Sequence, residues 1–341
     1  MPILLIILLI IVACIRFIPG AGELYATLLY PHISAFLSWL SSFVPFSLDE
    51  VVALIGISLL IMTLVTGIKR SWRWYKTVGR LCQIILWYVV WFYLGWGCNY
   101  FRDNFYTRME VVPANAEKEI FLRFANDYAE KLNRSWSETY EIDQEQVVDE
   151  IKKLYSRHLP PTSGLCVPKD YQYPKEMLLN RLYSAAGVLG FMGPWVGENL
   201  LNAELLPVQY PSIYAHELSH LLGVNNEAEA NYWAYYVCTR SEHQAIRYSG
   251  YQCLLPYVLS DARSLLSEDE YREYFLSIRP EIIQERREIS AHWQEQRVEL
   301  IDQLQNFLLD LQLKGNNIPS GTRNYNQVVS MIISVQENTK K

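Results

Sequence analysis

Two apolar runs, residues 51–68 and 81–98, flank a short stretch that holds Lys69, Arg70, Arg73, Lys76 and Arg80. Each run is about as long as a helix must be to cross the hydrocarbon core of a bilayer. In lipid every backbone N–H and C=O must find its partner within the segment, so a lone apolar run of this kind can only be a helix. The chain is therefore expected to be a multi-pass membrane protein with the lipid bilayer as its first partner. Residues 3–18 form a further apolar run, broken only by Arg16, and are expected to be another span. Ile11, Val12, Ala13 and Cys14 resemble a lipoprotein cleavage box, but no Lys or Arg precedes the run, which favours an anchor over a cleaved signal peptide. Residues 22–47 are aromatic and interrupted by Pro31 and Pro45, so they are expected to form an interfacial or re-entrant helix pair. Basic loops stay in the cytoplasm, which places the 69–80 stretch inside. Three spans with the N-terminus inside then put everything after Tyr100 outside the cytoplasm.

The charge is unevenly spread over the 341 residues. Residues 1–100, the expected membrane anchor, carry few acids, and most of the charge lies in residues 101–341, which have room for one domain. A net charge of −6 argues against nucleic acid as a partner. None of the six cysteines forms a CxxC pair, so a cysteine metal site is not expected.

The chemistry concentrates in Tyr214-Ala-His-Glu-Leu-Ser-His-Leu-Leu-Gly-Val-Asn-Asn-Glu-Ala-Glu-Ala-Asn231. Pro211 and Ser212 suit a helix start and Gly223 a helix stop, so His216-Glu-Leu-Ser-His220 sits on a helix. Two His four apart on a helix share a face, and both imidazoles can bind one Zn²⁺. Glu217, between them, can take a proton from water at the metal as a general base. A third ligand is needed. Asn225 or Asn226 can cap a second helix that carries Glu227 and Glu229 in its first turn. The two carboxylates lie about 200° apart around that helix, so a regular helix offers the metal only one of them. Glu227 is the choice, because Asn231 then falls on the same face and can hold a ligating His from behind. Ala228, Ala230 and Ala234 are small enough to let the two helices approach.

Elsewhere, residues 117–133 and 143–155 read as amphipathic helices. Residues 175–190 look helical and lead into an extended segment near 188–208. Residues 279–313 read as one long amphipathic helix, and residues 324–335 as a last short one. A donor for a developing oxyanion is expected beyond the metal helices, with Tyr248 first and His243 second.

Glu227-Ala-Glu-Ala-Asn231 resembles the ExxAD element of membrane-bound, gluzincin-type peptidases, in which the Glu is the third zinc ligand and the Asp supports a ligand. Asn231 departs from that Asp. The spacing to Gly223 is also similar to the metzincin turn, but no third His follows. The wider pattern resembles a bacterial membrane-protein family known mainly as a zincin-like domain of unknown function. Its marks are Asn99-Tyr-Phe-Arg102, Gly197-Glu198 with Asn202, the HExxH and its E-x-E-A-N run, and Tyr248-Ser-Gly-Tyr251. The resemblance implies a mainly α fold: N-terminal transmembrane helices plus an α+β zincin-like metallopeptidase domain with a small sheet. It also implies a bacterial inner (cytoplasmic) membrane location. In zincins a strand edge beside the HExxH helix binds the substrate backbone by strand addition. Glu198 and Asn202 are the candidates for that edge. The function expected on these grounds is zinc-dependent hydrolysis of peptide bonds in a peptide or protein substrate. The alternative is a membrane sensor or scaffold that keeps a zincin fold without catalysis. Glu217 favours the enzyme, because a purely structural metal site has no use for it.

Overall fold

The computed structural model describes residues 3–114, 117–138, 143–316 and 327–339. It is mainly helical. Helix α1 (Ile3–Phe17) is followed by α2 (Ala21–Leu24), a π-turn over Tyr25–Leu29, and α3 (Tyr30–Ser41). The chain bends by 115° between α1 and the segment that follows. Helices α4 (Leu48–Lys69) and α5 (Trp74–Gly95) are long and apolar enough to cross a membrane, and the bent pair adds a third span if it is counted as one.

Ser47 caps α4 by accepting from the Glu50 N–H at 3.2 Å, and Asp49 and Glu50 occupy the dipole-favoured first turn. Helix α5 begins seven residues before the apolar run, so the expected basic loop shrinks to a tight turn. Apolar patterning reads Lys76 and Arg80 as loop residues. In the fold they lie on the helix, with their cations 4.8 and 4.0 Å from the Trp72 ring centre. Gly56 and Gly67 let the two helices touch: a Cβ at Gly56 would fall 2.7 Å from the Tyr88 ring.

After α5 the chain turns through Gly97–Phe101 into α6 (Phe105–Arg108). Helix α7 (Lys118–Ser135) buries Phe121, Phe124, Ala125, Tyr128 and Leu132, the three-and-four spacing of one helical face. Helix α8 (Gln144–His158) follows. Residues 175–190 are not one helix. They divide into strand β1 (Lys175–Glu176) and α9 (Asn180–Ala185), and the chain goes on into β2 (Gly190–Gly193) and β3 (Glu198–Leu201). The sheet order is β1-β3-β2, with β1 parallel to β3 (Lys175 opposite Leu200) and β2 antiparallel to it (Gly190 opposite Leu201, Gly193 opposite Glu198). Strand β3 is thus central, and β2 is an edge strand among the described residues.

The core holds α10 (Tyr210–Leu221), α11 (Glu227–Cys238) and α12 (Gln244–Leu265), packed on one another and on α7 and α8. Helix α13 (Glu268–Ser277) starts with a Ser267–Glu270 capping box. The single helix expected over 279–313 is two, α14 (Pro280–Gln296) and α15 (Glu299–Gly315). Arg297 is extended at ψ 137° and the Val298 N–H bonds to the Ala185 carbonyl at 2.9 Å, outside any helical ladder. Helix α16 (Val328–Thr339) closes the chain. Residues 324–326 of the expected last helix, with Lys340 and Lys341 of the tail, lie outside the described residues.

The membrane segments and the core are locked together. The Asp49 carboxylate accepts the N–H groups of Trp195 and Val196, and Glu50 accepts those of Leu178 and Leu179 at 2.7 and 2.9 Å. Tyr25, Tyr30 and Trp96 belong to the same buried cluster as Tyr214, Leu218 and Trp233.

Candidate functional site

Helical spacing stacks His216 and His220 on one face of α10, with their Nε2 atoms 3.2 Å apart. Beyond the helix, Gly223 adopts φ 108°, a conformation that strains any residue with a side chain. This turn sends Val224 back to donate to the Ser219 carbonyl, and Asn226 then caps α11 by accepting from the Glu229 N–H at 3.0 Å. Glu227, the first residue of α11, brings its Oε2 to 3.2 Å from His216 Nε2 and 3.5 Å from His220 Nε2. Ala228, Ala230 and Ala234 of α11 are all buried. The side chains of His216, His220 and Glu227 form a cluster that could hold a metal ion.

The outer atoms of both rings are fixed. His216 Nδ1 donates to Asn231 Oδ1 at 2.9 Å, and His220 Nδ1 donates to the Val224 carbonyl at 2.9 Å. With acceptors on both Nδ1 atoms, the Nε2 lone pairs are left facing each other and Glu227. Burial opposes charge on His220, but the Glu227 carboxylate outweighs it and pushes the imidazole up to about 9. Burial likewise opposes charge on Glu227, but the two imidazoles hold it well below the usual carboxylate range. The cluster is thus built to share positive charge, whether carried by protons or by a metal cation.

Glu217 lines the same cavity as His216, His220 and Glu227, and nothing among the described residues hydrogen-bonds its carboxylate. Burial raises its pKa, and the two neighbouring His residues pull it back down. The backbone of β2 presses on it: a Cβ at Gly190 would lie 2.8 Å from Glu217 Cγ. The cavity has a volume of about 1290 Å³.

Glu229 turns away from the cluster. It forms an ion pair with Arg108 and accepts from Trp233 Nε1 at 3.0 Å. Tyr248 is fully buried, and its hydroxyl donates to the Glu285 carboxylate. His243 lies just before α12, exposed. Neither lines the cavity. Tyr257, which spacing alone did not single out, does line it, and its hydroxyl accepts from Asn231 Nδ2 at 3.2 Å. No local signal marks it, since it lies on α12 two and a half turns past Tyr248 and so on the opposite face. Burial pushes the Tyr257 phenol up to about 12, so it stays a hydrogen-bond donor.

Glu198 and Asn202 are not at the free strand edge. Glu198 accepts from Lys175 Nζ at 2.6 Å, Ser47 Oγ at 3.1 Å and the Asp49 N–H at 2.8 Å, all within the fold. Asn202 is bonded to Ser184 Oγ and donates to the Val188 carbonyl at 2.9 Å. Glu198 lies in the central strand, so both neighbours of that strand are already in place. The strand bordering the cavity is β2.

The remaining sequence marks brace the two site helices. Trp96 Nε1 donates to the His220 carbonyl at 2.8 Å and Tyr30 Oη to the Leu221 carbonyl at 2.8 Å. Arg102 donates to the Gly223 carbonyl at 3.1 Å and pairs with Glu23, while the Asn99 carbonyl accepts from Asn225 Nδ2. The end of α10, whose last carbonyls have no helical partner, is thus satisfied from the N-terminal region. In the Tyr248–Tyr251 stretch, Ser249 Oγ accepts from the Ser212 N–H at 3.1 Å, and a Cβ at Gly250 would fall 2.6 Å from Cys238 Cβ. That stretch seats α12 on α10 and α11.

No curated protein and no solved structure matches the chain. A family model described as "Protein of unknown function (DUF3810)" matches residues 25–333, and the chain belongs to that family.

Proposed function

We propose that this chain is a membrane-bound, zinc-dependent peptidase in which His216, His220 and Glu227 hold the ion and Glu217 is the general base. The observation that carries this reading is the convergence of three ligand atoms on a cavity wall, beside a carboxylate that no described residue hydrogen-bonds. Their spacing supports zinc. Atoms bound at about 2.0–2.1 Å around one tetrahedral ion stand about 3.3 Å apart, and here the three separations are 3.2, 3.2 and 3.5 Å. The ion supplies Lewis acidity, polarising a carbonyl and acidifying water.

The rest falls to side chains. Glu217 takes the water's proton and returns it to the leaving amine. Asn231 keeps His216 in the ligating orientation while donating to Tyr257. The Tyr257 hydroxyl, which keeps its own proton, is the donor for the oxyanion of the tetrahedral intermediate.

Orientation is part of the proposal. Ser47, Asp49 and Glu50 put the start of α4 against the sheet beside the site, whereas Lys69, Arg70 and Arg73 stand at the other end of the α4–α5 pair. With the basic turn in the cytoplasm, the site is extracytoplasmic.

The test is metal analysis together with peptide cleavage by the full chain and by Glu217→Gln. The parent is expected to carry about one zinc per chain and to cleave peptides. Glu217→Gln should keep the metal and lose about 10²–10⁴ in rate. A parent that binds no first-row metal after reconstitution refutes the reading. A parent that binds zinc but cleaves no peptide favours the sensor or scaffold instead.

A further inference from the structure

The cavity beside Glu217 does not end at the metal-ligand cluster. It continues between the two membrane helices, where Ala53, Ile57 and Leu60 of α4 and Ile84, Ile85 and Val89 of α5 line it. Leu60 is twelve residues along α4 from its start, about 18 Å at 1.5 Å per residue. That is more than half of a hydrocarbon core of about 30 Å. The space thus runs from the polar cluster to a depth where only apolar groups are at home. At about 1290 Å³ it also exceeds the roughly 300–1,000 Å³ of pockets built for small molecules.

A second observation comes from α15, which roofs the cavity. Asp302, Gln305 and Asn306 line the cavity. The other side of the helix presents Leu300, Leu304, Phe307, Leu308 and Leu311 outward, with Leu300 76% and Phe307 59% exposed. A helix that covers a core in water has the opposite arrangement, apolar side in and polar side out. An apolar outer stripe suits a helix lying in the membrane interface, its outward face in acyl chains. The roof of the cavity therefore rests in lipid, and the cavity opens within the bilayer rather than above it. The third observation is β2, an edge strand whose residues Gly190–Met192 border the same space next to Glu217. An unpaired strand edge is a template for an extended peptide.

From these we infer that the substrate is an extended peptide joined to an apolar, membrane-seated tail. The peptide lies along β2 with its scissile bond at Glu217, and the tail occupies the groove between α4 and α5. This rests on the peptidase reading and adds the substrate class to it. The tail is an acyl chain: a membrane helix about 10–12 Å across would fill roughly 1,400–2,000 Å³ over that depth of about 18 Å, more than the whole cavity of about 1290 Å³.

The experiment uses the full chain in detergent or bilayer discs and one peptide sequence from a mixed peptide set, the best cleaved if any is cleaved. Three forms are compared: the bare peptide, the same peptide N-palmitoylated, and the same peptide fused to a Leu-rich helix. Each tailed form also carries a terminal diazirine for cross-linking to the Glu217→Gln protein. The palmitoylated form is expected to be cleaved tenfold or more faster than the bare peptide, and its diazirine should label α4 or α5. A preference for the helix-fused form instead overturns the acyl assignment. Ile57→Trp, which narrows the groove, should reduce the tailed-to-bare ratio at least fivefold. Ile55→Trp, the same change on a face that does not line the cavity, should leave both the ratio and the bare rate as they were.

A bare peptide cleaved as fast as both tailed forms overturns the tail site and leaves the peptidase standing. Labelling of α4 or α5 with no cleavage by the parent keeps the tail site and removes the peptidase. Labels spread over lipid-facing positions, or equal effects of the two Trp variants, also overturn the tail site.

Discussion

Replacing Glu229 by Ala separates two carboxylates that stand two residues apart. Glu229 and Arg108 are buried, with side chains 2% and 4% exposed. Removing one partner of a buried pair costs about 3–5 kcal/mol, because the other charge is left uncompensated. Arg108 keeps two carbonyl acceptors, Ser163 and Asp103, which places its share at the lower end, about 3 kcal/mol. The Trp233 N–H loses its acceptor as well, a further loss of about 1–3 kcal/mol for a buried donor. The sum, about 4–6 kcal/mol, corresponds to a fall in Tm of roughly 10 °C at about 2 °C per kcal/mol for a chain of this size. Thermal unfolding in detergent measures it, and elemental analysis of the folded fraction measures metal. Glu229→Ala should unfold early yet carry as much metal per folded chain as the parent. Glu227→Ala should lose the metal and, compared in the metal-free state below about pH 9, should also melt below the parent, because its carboxylate sustains the charge on His220. Joint replacement of Arg108 and Glu229 by Met should recover most of the lost stability, since neither charge is then stranded. An unchanged melting point for Glu229→Ala, or metal loss equal to that of Glu227→Ala, would refute this division of labour.

Asn231→Ala removes the acceptor that orients His216 and should weaken metal affinity about 10–100-fold in a chelator competition, with the fold intact. Gly190→Ala drives a methyl group to within 2.8 Å of Glu217 Cγ, so the carboxylate must shift. Hydrolysis should fall by about 10²-fold while metal content stays at the parent level, and an unaffected rate would show that Glu217 needs no fixed position. A reporter inserted at the turn after Lys69 should read cytoplasmic and one fused after residue 114 extracytoplasmic. The opposite pattern would place the site inside the cell.

What sequence could reveal tracks what is periodic. His216, Glu217 and His220 are related by helical geometry alone. The angle between residues two apart on a helix leaves the metal only one of Glu227 and Glu229, and Asn231 on the face of Glu227 favoured Glu227. Tyr257 was hidden because nothing local distinguishes it from Tyr248 on the same helix. Only the packing of α12 decides which of the two hydroxyls meets Asn231 and which meets Glu285. Glu198 misled for a similar reason. A polar residue in an extended stretch reads as edge-exposed, but its partners Lys175 and Ser47 are remote in sequence, at 23 and 151 residues. The break at Arg297 was invisible because the apolar spacing runs almost in phase across it, while the Val298 N–H is claimed by a distant carbonyl. Hydropathy located the lipid-facing helices but said nothing of the polar contacts through which they hold the core.

Those contacts determine when the site can exist. The carbonyls of His220, Leu221 and Gly223 take their hydrogen bonds from Trp96, Tyr30 and Arg102. A chain begun at residue 103 would leave the Leu221 and Gly223 carbonyls without a donor, at about 1–3 kcal/mol each, and the His220 carbonyl with the Gly223 N–H alone. That loss is comparable with the lower end of the margin of about 5–15 kcal/mol that keeps a folded protein folded. The two site helices therefore cannot be cut free as a soluble module. Nor can they settle during synthesis until Tyr30, Trp96 and Arg102 have packed against them. Assembly of the cluster is tied to the N-terminal helices, so a copy in which those helices are misplaced would carry the motif without the site.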